Sequence, residues 1–498
     1  MSNAYEKLMV RVKDAARLES VGALLDWDQE TYMPTAGVTA RADQIALISG
    51  LQHDTLVCDE TRALIERADA PSDDHVAVTN LREVRRAFDR ASKLPTELVK
   101  EIAHTTTLAK QAWAKAREQD DFGAFEPLLT KVVTLKRRVV DLIGYETDPY
   151  DALMDEFEPG AKAAEVEAVF KDLVAATVRL LDRIRDAPHR PDPGILRGHF
   201  PRDKQETLSR KMAECIGFDS NRGRADVTVH PFCTTIGGSD DVRITTRYDE
   251  GFLSPALFGT MHEVGHALYE QGLDAAHRST PMGEATSLGI HESQSRLWEN
   301  LVGRSLPFWE CHYEALQELF PDELGDVTLD AFHGALNAVT PSLIRVEADE
   351  VTYNLHIVLR FEIERALIDG SLAASDIPRV WNEKFTECFS ITPPTDREGC
   401  LQDIHWSIGA LGYFPTYALG NLYAAQFFEQ ARRDVPDLDA KIRANDHAPL
   451  LAWLRKHIHC HGRRFRASDL VQRVTGKPLS IEPYMSHVEG RCADVYGI

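Results

Sequence analysis

A chain of 498 residues can bury a large core or divide into lobes, and its 43% apolar content is that of a globular protein. No stretch approaches the roughly 18 uninterrupted apolar residues of a membrane span, and a formal charge of −22 argues against a phosphate-backbone partner, so neither membrane nor nucleic acid is expected. Cys58, Cys215, Cys233, Cys311, Cys388, Cys400, Cys460 and Cys492 include no close pair, which suits reduced thiols in the cytosol and offers no convincing metal ligand.

The first twenty residues alternate charged and apolar positions at helical spacing and read as a first helix, not a secretory signal; a cytoplasmic location is expected. From residue 4 to about 144 apolar residues recur every three or four positions, as in "LPTELVKEIAHTTTLAKQAWAKAREQ", where Leu94 and Pro95 mark a helix start. The acidic stretch 148–158 lacks the regular oxygen spacing of a calcium loop and reads as a solvated, turn-rich segment. A long helix is expected over 161–186. Then "PHRPDPGILRGHFPRD" packs four prolines and two glycines into sixteen residues. It reads as the seam between an N-terminal helical half, 1–203, and a half bearing the metal motif, 204–498.

The one clear departure from helix lies at 231–250. There "FCTTI" and "DVRITTRY" flank "GGSD", which predicts a β-hairpin. A strand beside the next helix would offer backbone groups to an extended peptide; a purely structural ribbon is the alternative.

That next helix carries "TMHEVGHALYEQG", 260–272. Ser254 is expected as its N-cap, Pro255 in its first turn and Gly272 as its stop. His262 and His266 then share one face, with Glu263 about 100° round. In a zinc peptidase two neutral imidazoles grip the metal and the neighbouring carboxylate takes a proton from water activated there. Leu257, Phe258, Met261, Val264, Ala267 and Leu268 make the helix apolar nearly all round, so its histidines need a buried partner. A third ligand is expected downstream, where Glu284, His291, Glu292 and Glu299 are all available and spacing does not choose among them. Glu292 and Arg296, one turn apart, read equally as an ordinary ion pair. "HIHCHG", 457–462, aligns His457, His459 and His461 only in an extended segment, without a carboxylate or second cysteine to close a site. Adventitious binding is the better reading there.

Several short motifs together carry a resemblance. "HPF" at 230–232, "HEVGH" at 262–266, "HESQSR" at 291–296, "IRVEAD" at 344–349 and "GCLQDIHW" at 399–406 stand in the order found in the carboxypeptidase Taq family of metallocarboxypeptidases. "LLDWDQETYMP", "YDALMDEFEPG", "GYFPTYALGN" and "VTGKPLS" are also similar, so the likeness covers almost the whole chain. It implies one mainly α peptidase domain over 1–498, with a deep groove and a small β element beside the metal helix. It further implies a homodimer that releases residues from peptide C-termini with broad specificity. Carried over by position, His262, His266 and Glu292 are the implied metal ligands and Glu263 the base. Zinc is the default metal, although cobalt or manganese suits the same donors.

An oxyanion needs donors, and His405, Tyr413 and Tyr417 are the candidates. A terminal carboxylate needs a guanidinium; Arg345 is expected to supply it from the head of a long amphipathic helix, with Asp349 four residues on to fix or neutralise it. His230 and Gln402 are further candidate substrate contacts. The rival readings are a zinc oligopeptidase or dipeptidyl carboxypeptidase, and a catalytically silent helical protein that holds peptides.

Overall fold

The computed structural model describes residues 3–498. Among them are twenty-one α-helices and one three-stranded sheet, and no helix is long and apolar enough to cross a membrane. The chain forms two compact units, each built from three separate segments. The first comprises Met1–Ala91, Asp192–Leu336 and Ala424–Pro478; the second comprises Ser92–Pro191, Asn337–Tyr423 and Leu479–Ile498. One passage between them, at 191–192, falls inside the expected proline-rich seam, where the Asp192 side chain accepts from Gly194 N and closes a short 3-10 turn. The units do not correspond to one cut at 203, because the first 91 residues fold with later segments.

In the first unit, helix Asn3–Thr31 packs along helix Val38–Leu56. Tyr5, Leu8, Met9 and Val12 close a small core with Leu64, Ile65, Leu81, Val84 and Phe88 from the next two helices. The expected hairpin is present as β2, Cys233–Thr235, antiparallel to β3, Val242–Thr246. Its turn uses Gly237 and Gly238 at φ 82° and 98°, a region closed to most side chains. The sheet also has a strand that the pattern did not predict: β1, Gly223–Val227, pairs parallel to β3, which is therefore central. Val242, Ile244, Thr245 and Thr246 are buried, and Thr246 and Thr260 share a hydroxyl contact of 3.0 Å that ties β3 to the histidine helix.

That helix runs Leu253–Gly272. Its N-cap is Phe252, without a side-chain cap, so Ser254 is the second helical residue and not the cap, while Pro255, the third, does lie in the first turn. Gly272 does end the helix; a β-carbon there would collide with the ring of His459, so its smallness provides clearance.

In the second unit, helices Thr96–Gln119 and Phe122–Ile143 pack against each other, with Asp121 capping the latter through Ala124 N. The helix Tyr353–Asp369 is buried along most of its length and packs on Ala163–Arg185. Its Glu364 accepts from Tyr150 Oη, Trp406 Nε1 and Gly412 N at 2.6, 2.8 and 2.9 Å. The 148–158 stretch is turn-rich but not solvated as expected. Tyr150, Leu153 and Met154 are buried, Asp151 accepts from Ala163 N, and Glu158 accepts from Tyr423 Oη. Neutralised or hydrogen-bonded acids can enter a core, and these do.

Candidate metal centre and guanidinium cluster

In the first unit, the four-residue spacing on one helix brings the Nε2 atoms of His262 and His266 to 3.6 and 3.4 Å from one oxygen, Oε2 of Glu292. Glu292 comes from the second helix, Leu288–Arg296, which the Ser287 side chain caps through Ile290 N. Of the four downstream candidates, Glu292 is the one whose carboxylate the fold brings to the Nε2 atoms of both histidines. Glu299 stands behind it, 2.9 Å from His262 Nδ1. His291 lies behind His266, its carbonyl 3.1 Å from His266 Nδ1 and its own Nε2 2.8 Å from Glu270. Glu284 is half-exposed and pairs with Arg463.

Outer partners of this kind fix which nitrogen of each imidazole faces the shared carboxylate. A π-helical turn, Leu297–Val302, follows and carries Glu299; such widened turns recur at functional sites. Arg296 bridges the two acids, 2.7 Å from Glu292 and 3.2 Å from Glu299. The expected surface ion pair is thus buried, with the Glu292 side chain 7% exposed.

The electrostatics suit a cation. Burial alone would raise the Glu292 carboxyl, but Arg296 and the two histidines hold it well below the usual carboxylate range. Burial and the neighbouring His291 depress His266 to about 3, so its ring is neutral. Burial also depresses His262, yet Glu292 and Glu299 outweigh it and leave that ring raised. Glu263 is different. It is buried, accepts no hydrogen bond among the described residues, and burial lifts it to about 7, with His262 opposing and Glu292 adding to the rise. A carboxyl poised there suits proton transfer near neutral pH. Two imidazoles and one ionised carboxylate, with donor atoms within 4.8 Å of one another, fit a divalent metal with an open position.

The second unit assembles the guanidinium cluster. Arg345 is not at the head of the long helix: it lies in a 3-10 turn, Arg345–Glu347, and the helix begins at Tyr353. Asp349 does not pair with it either, because its carboxylate accepts from Thr340, Val351 and Thr352 and caps the approach to that helix. The partner is Asp403. Its Oδ1 accepts from Arg345 Nε and Nη2 at 3.0 and 2.8 Å, and its Oδ2 lies 2.6 Å from both Nε and Nη2 of the fully buried Arg360. Arg345 Nη1 donates to Tyr353 Oη at 3.1 Å, so three of its five N–H groups are engaged.

Gln402, expected to meet substrate, is used internally: it accepts from Arg345 N at 2.8 Å and donates to the carbonyls of Leu343, Glu398 and Gly399. His405 Nε2 lies 3.3 Å from Tyr417 Oη, and Tyr413 packs on both rings. Burial lowers His405 to about 4 against the pull of Asp403, leaving a neutral imidazole. His230 is exposed on the segment after β1. The three histidines of 457–461 do not converge: His457 stacks on Trp453, His459 meets Gln294, and His461 packs on Phe465.

Sequence reasoning missed Asp403, Arg360 and Tyr353 as the cage around Arg345, and Glu270 as the partner of His291. Asp403 lay in a quoted motif, but no spacing rule joins it to an arginine 58 residues away.

A helical fold in which two imidazoles and an ionised carboxylate converge beside a buried carboxyl that accepts no hydrogen bond is the arrangement expected of a metallopeptidase. The chain belongs to the carboxypeptidase Taq (M32) metallopeptidase family, whose model matches residues 7–492. It is 44% identical to thermostable carboxypeptidase 1 of Thermus thermophilus and 38% identical to carboxypeptidase 1 of Bacillus subtilis, over 99% of each chain in both cases. The M32 carboxypeptidase from Deinococcus radiodurans has a similar structure, with a TM-score of 0.96 and 37% identity over 100% of both chains. The protein is accordingly a metal-dependent carboxypeptidase that releases C-terminal amino acids from peptides.

Proposed function

We propose that His262, His266 and Glu292 hold the metal and that Glu263 is the general base. The observation that carries this reading is the approach of two imidazole nitrogens to one carboxylate oxygen, beside a buried carboxyl with no hydrogen bond of its own. When bound, a divalent cation supplies Lewis-acid polarisation of a peptide carbonyl and lowers the pKa of water. Zinc is favoured by the donor types, and cobalt or manganese is compatible with them. Glu263 takes the proton of the attacking water and returns it to the departing amine.

Arg345, whose two uncommitted N–H groups remain after Asp403 and Tyr353 are served, receives the terminal carboxylate of the peptide. Asp403 holds that guanidinium in place, and Gln402 holds the backbone that carries it. His405, as a neutral imidazole, and Tyr413 or Tyr417 donate to the oxyanion. His230 contacts the peptide from the exposed segment beside the sheet. A homodimer is the reading carried by the family resemblance, and a cytoplasmic location the one carried by the charged first helix and the scattered cysteines.

The test is Glu263→Gln. Metal content is expected to match the unmodified enzyme while kcat falls by roughly 10²–10⁴-fold. In the unmodified enzyme, amidating the peptide C-terminus is expected to suppress cleavage. Intact turnover by the variant defeats the base assignment, and equal turnover of free and amidated peptides defeats the carboxylate clamp.

A further inference from the structure

A second group of metal donors lies in the first unit, apart from the set just described. Cys215 is the last residue of helix Arg202–Cys215, and His312 lies in helix Leu306–Leu319. His447 stands immediately before helix Ala448–His457. A donor atom from each lies within 4.8 Å of the other two, and Cys215 Sγ is 4.0 Å from His312 Nε2.

Local structure aims these groups. The turn before His447 is made by Asn445 at φ 58°, with Asn445 N bonded to Ile442 O and Asp446 N to Lys441 O. Phe308 supports both imidazoles, its ring 4.5 Å from that of His312 and 5.7 Å from that of His447, and Trp298 closes the other side of His447 at 6.2 Å.

His447 supplies the independent sign of a ligand. It is only 2% exposed, yet neither ring nitrogen has a hydrogen-bond partner. A buried polar group left so is costly unless something else meets it. Cys215 and His312 are only part-buried, which leaves a way in for an ion.

We propose that Cys215, His312 and His447 form a second metal site, separate from the catalytic one, that takes a borderline divalent ion such as zinc. One thiolate and two imidazoles are zinc donors, with a fourth position left for water. At zinc bond lengths the sulfur and a nitrogen stand about 3.5 Å apart, so the 4.0 Å separation closes by a small side-chain movement. Its donor set holds no carboxylate. Its role is structural: it staples the end of one helix and the start of another to a third, using residues far apart in sequence.

Cobalt substitution of the whole enzyme tests the site by a signal that the two-histidine, one-glutamate set cannot give, a near-ultraviolet thiolate-to-cobalt charge-transfer band. The unmodified protein is expected to hold about two ions per chain and to show the band. Cys215→Ser is expected to abolish the band and lose one ion, and His447→Gln to weaken ion binding at least tenfold. Glu292→Gln is expected to keep the band, so failure of the catalytic assignment reads out separately. A protein that holds one ion and shows no band overturns the proposal. So does a band that survives Cys215→Ser.

Discussion

Asp403 accepts from Arg345 through one oxygen and from Arg360 through the other, and both guanidiniums are buried. Removing its charge would leave two cations uncompensated. Asp403→Asn is therefore expected to destabilise the protein by about 3–5 kcal/mol, read as a lowered denaturant midpoint at neutral pH. Burial works against the ionised form of Asp403, but Arg360, Arg345 and His405 outweigh it and hold the carboxyl below the usual range. A depressed carboxyl contributes fully above its ordinary pKa and loses that contribution as pH falls towards the folded value. The penalty of the variant should thus be constant from about pH 5 upwards and shrink only in strong acid. An unchanged midpoint at neutral pH would contradict the cage. The sequence marked Arg345 as a candidate carboxylate receptor, since guanidinium chemistry travels with the motif. Its partner was not legible, because Asp349 four residues on satisfied a helix rule in a segment that is not helical there.

At the scale of elements, the proposed metal centre depends on how closely two helices approach. A β-carbon on Gly265, between the two histidines, would meet the Gln294 carbonyl oxygen and Ser295 Cα at 2.6 Å, both backbone atoms that cannot swing aside. Alanine is worth about 1 kcal/mol more than glycine in a helix, so propensity alone favours the change. The contact decides otherwise. Gly265→Ala is expected to push Leu288–Arg296 away and weaken metal binding by roughly tenfold or more, in the range seen when supporting groups of metal ligands are altered. Gly259→Ala, in the same helix with nothing within 4 Å, is the control and should leave affinity unchanged. Calorimetric titration with zinc measures both; equal affinities would refute the argument. The helices and the hairpin were legible because they follow periods of 3.6 and 2 and carry turn glycines. β1 was not: "GRADV" has no alternation, and its pairing with β3 is parallel and non-local. Nor was the group of Cys215, His312 and His447, since a scan for close cysteine pairs cannot see donors gathered from separate helices.

On the scale of the whole molecule, both metal-donor groups lie in the first compact unit. An ion that binds only the folded state at a hundred times its Kd adds about 2.7 kcal/mol. Chelation is therefore expected to raise hydrogen exchange in 253–302 and to leave the helix pair 96–143 of the second unit comparatively protected. Uniform loss of protection would show that metal binding supports the fold globally. Finally, the polypeptide changes unit five times, at residues 91, 191, 336, 423 and 478. A ribosome delivers the N-terminal helices early, but Ala424–Pro478, which completes their unit, emerges more than three hundred residues later. The first unit can consequently close only once that late segment has been made, and no single protease nick can release an intact unit.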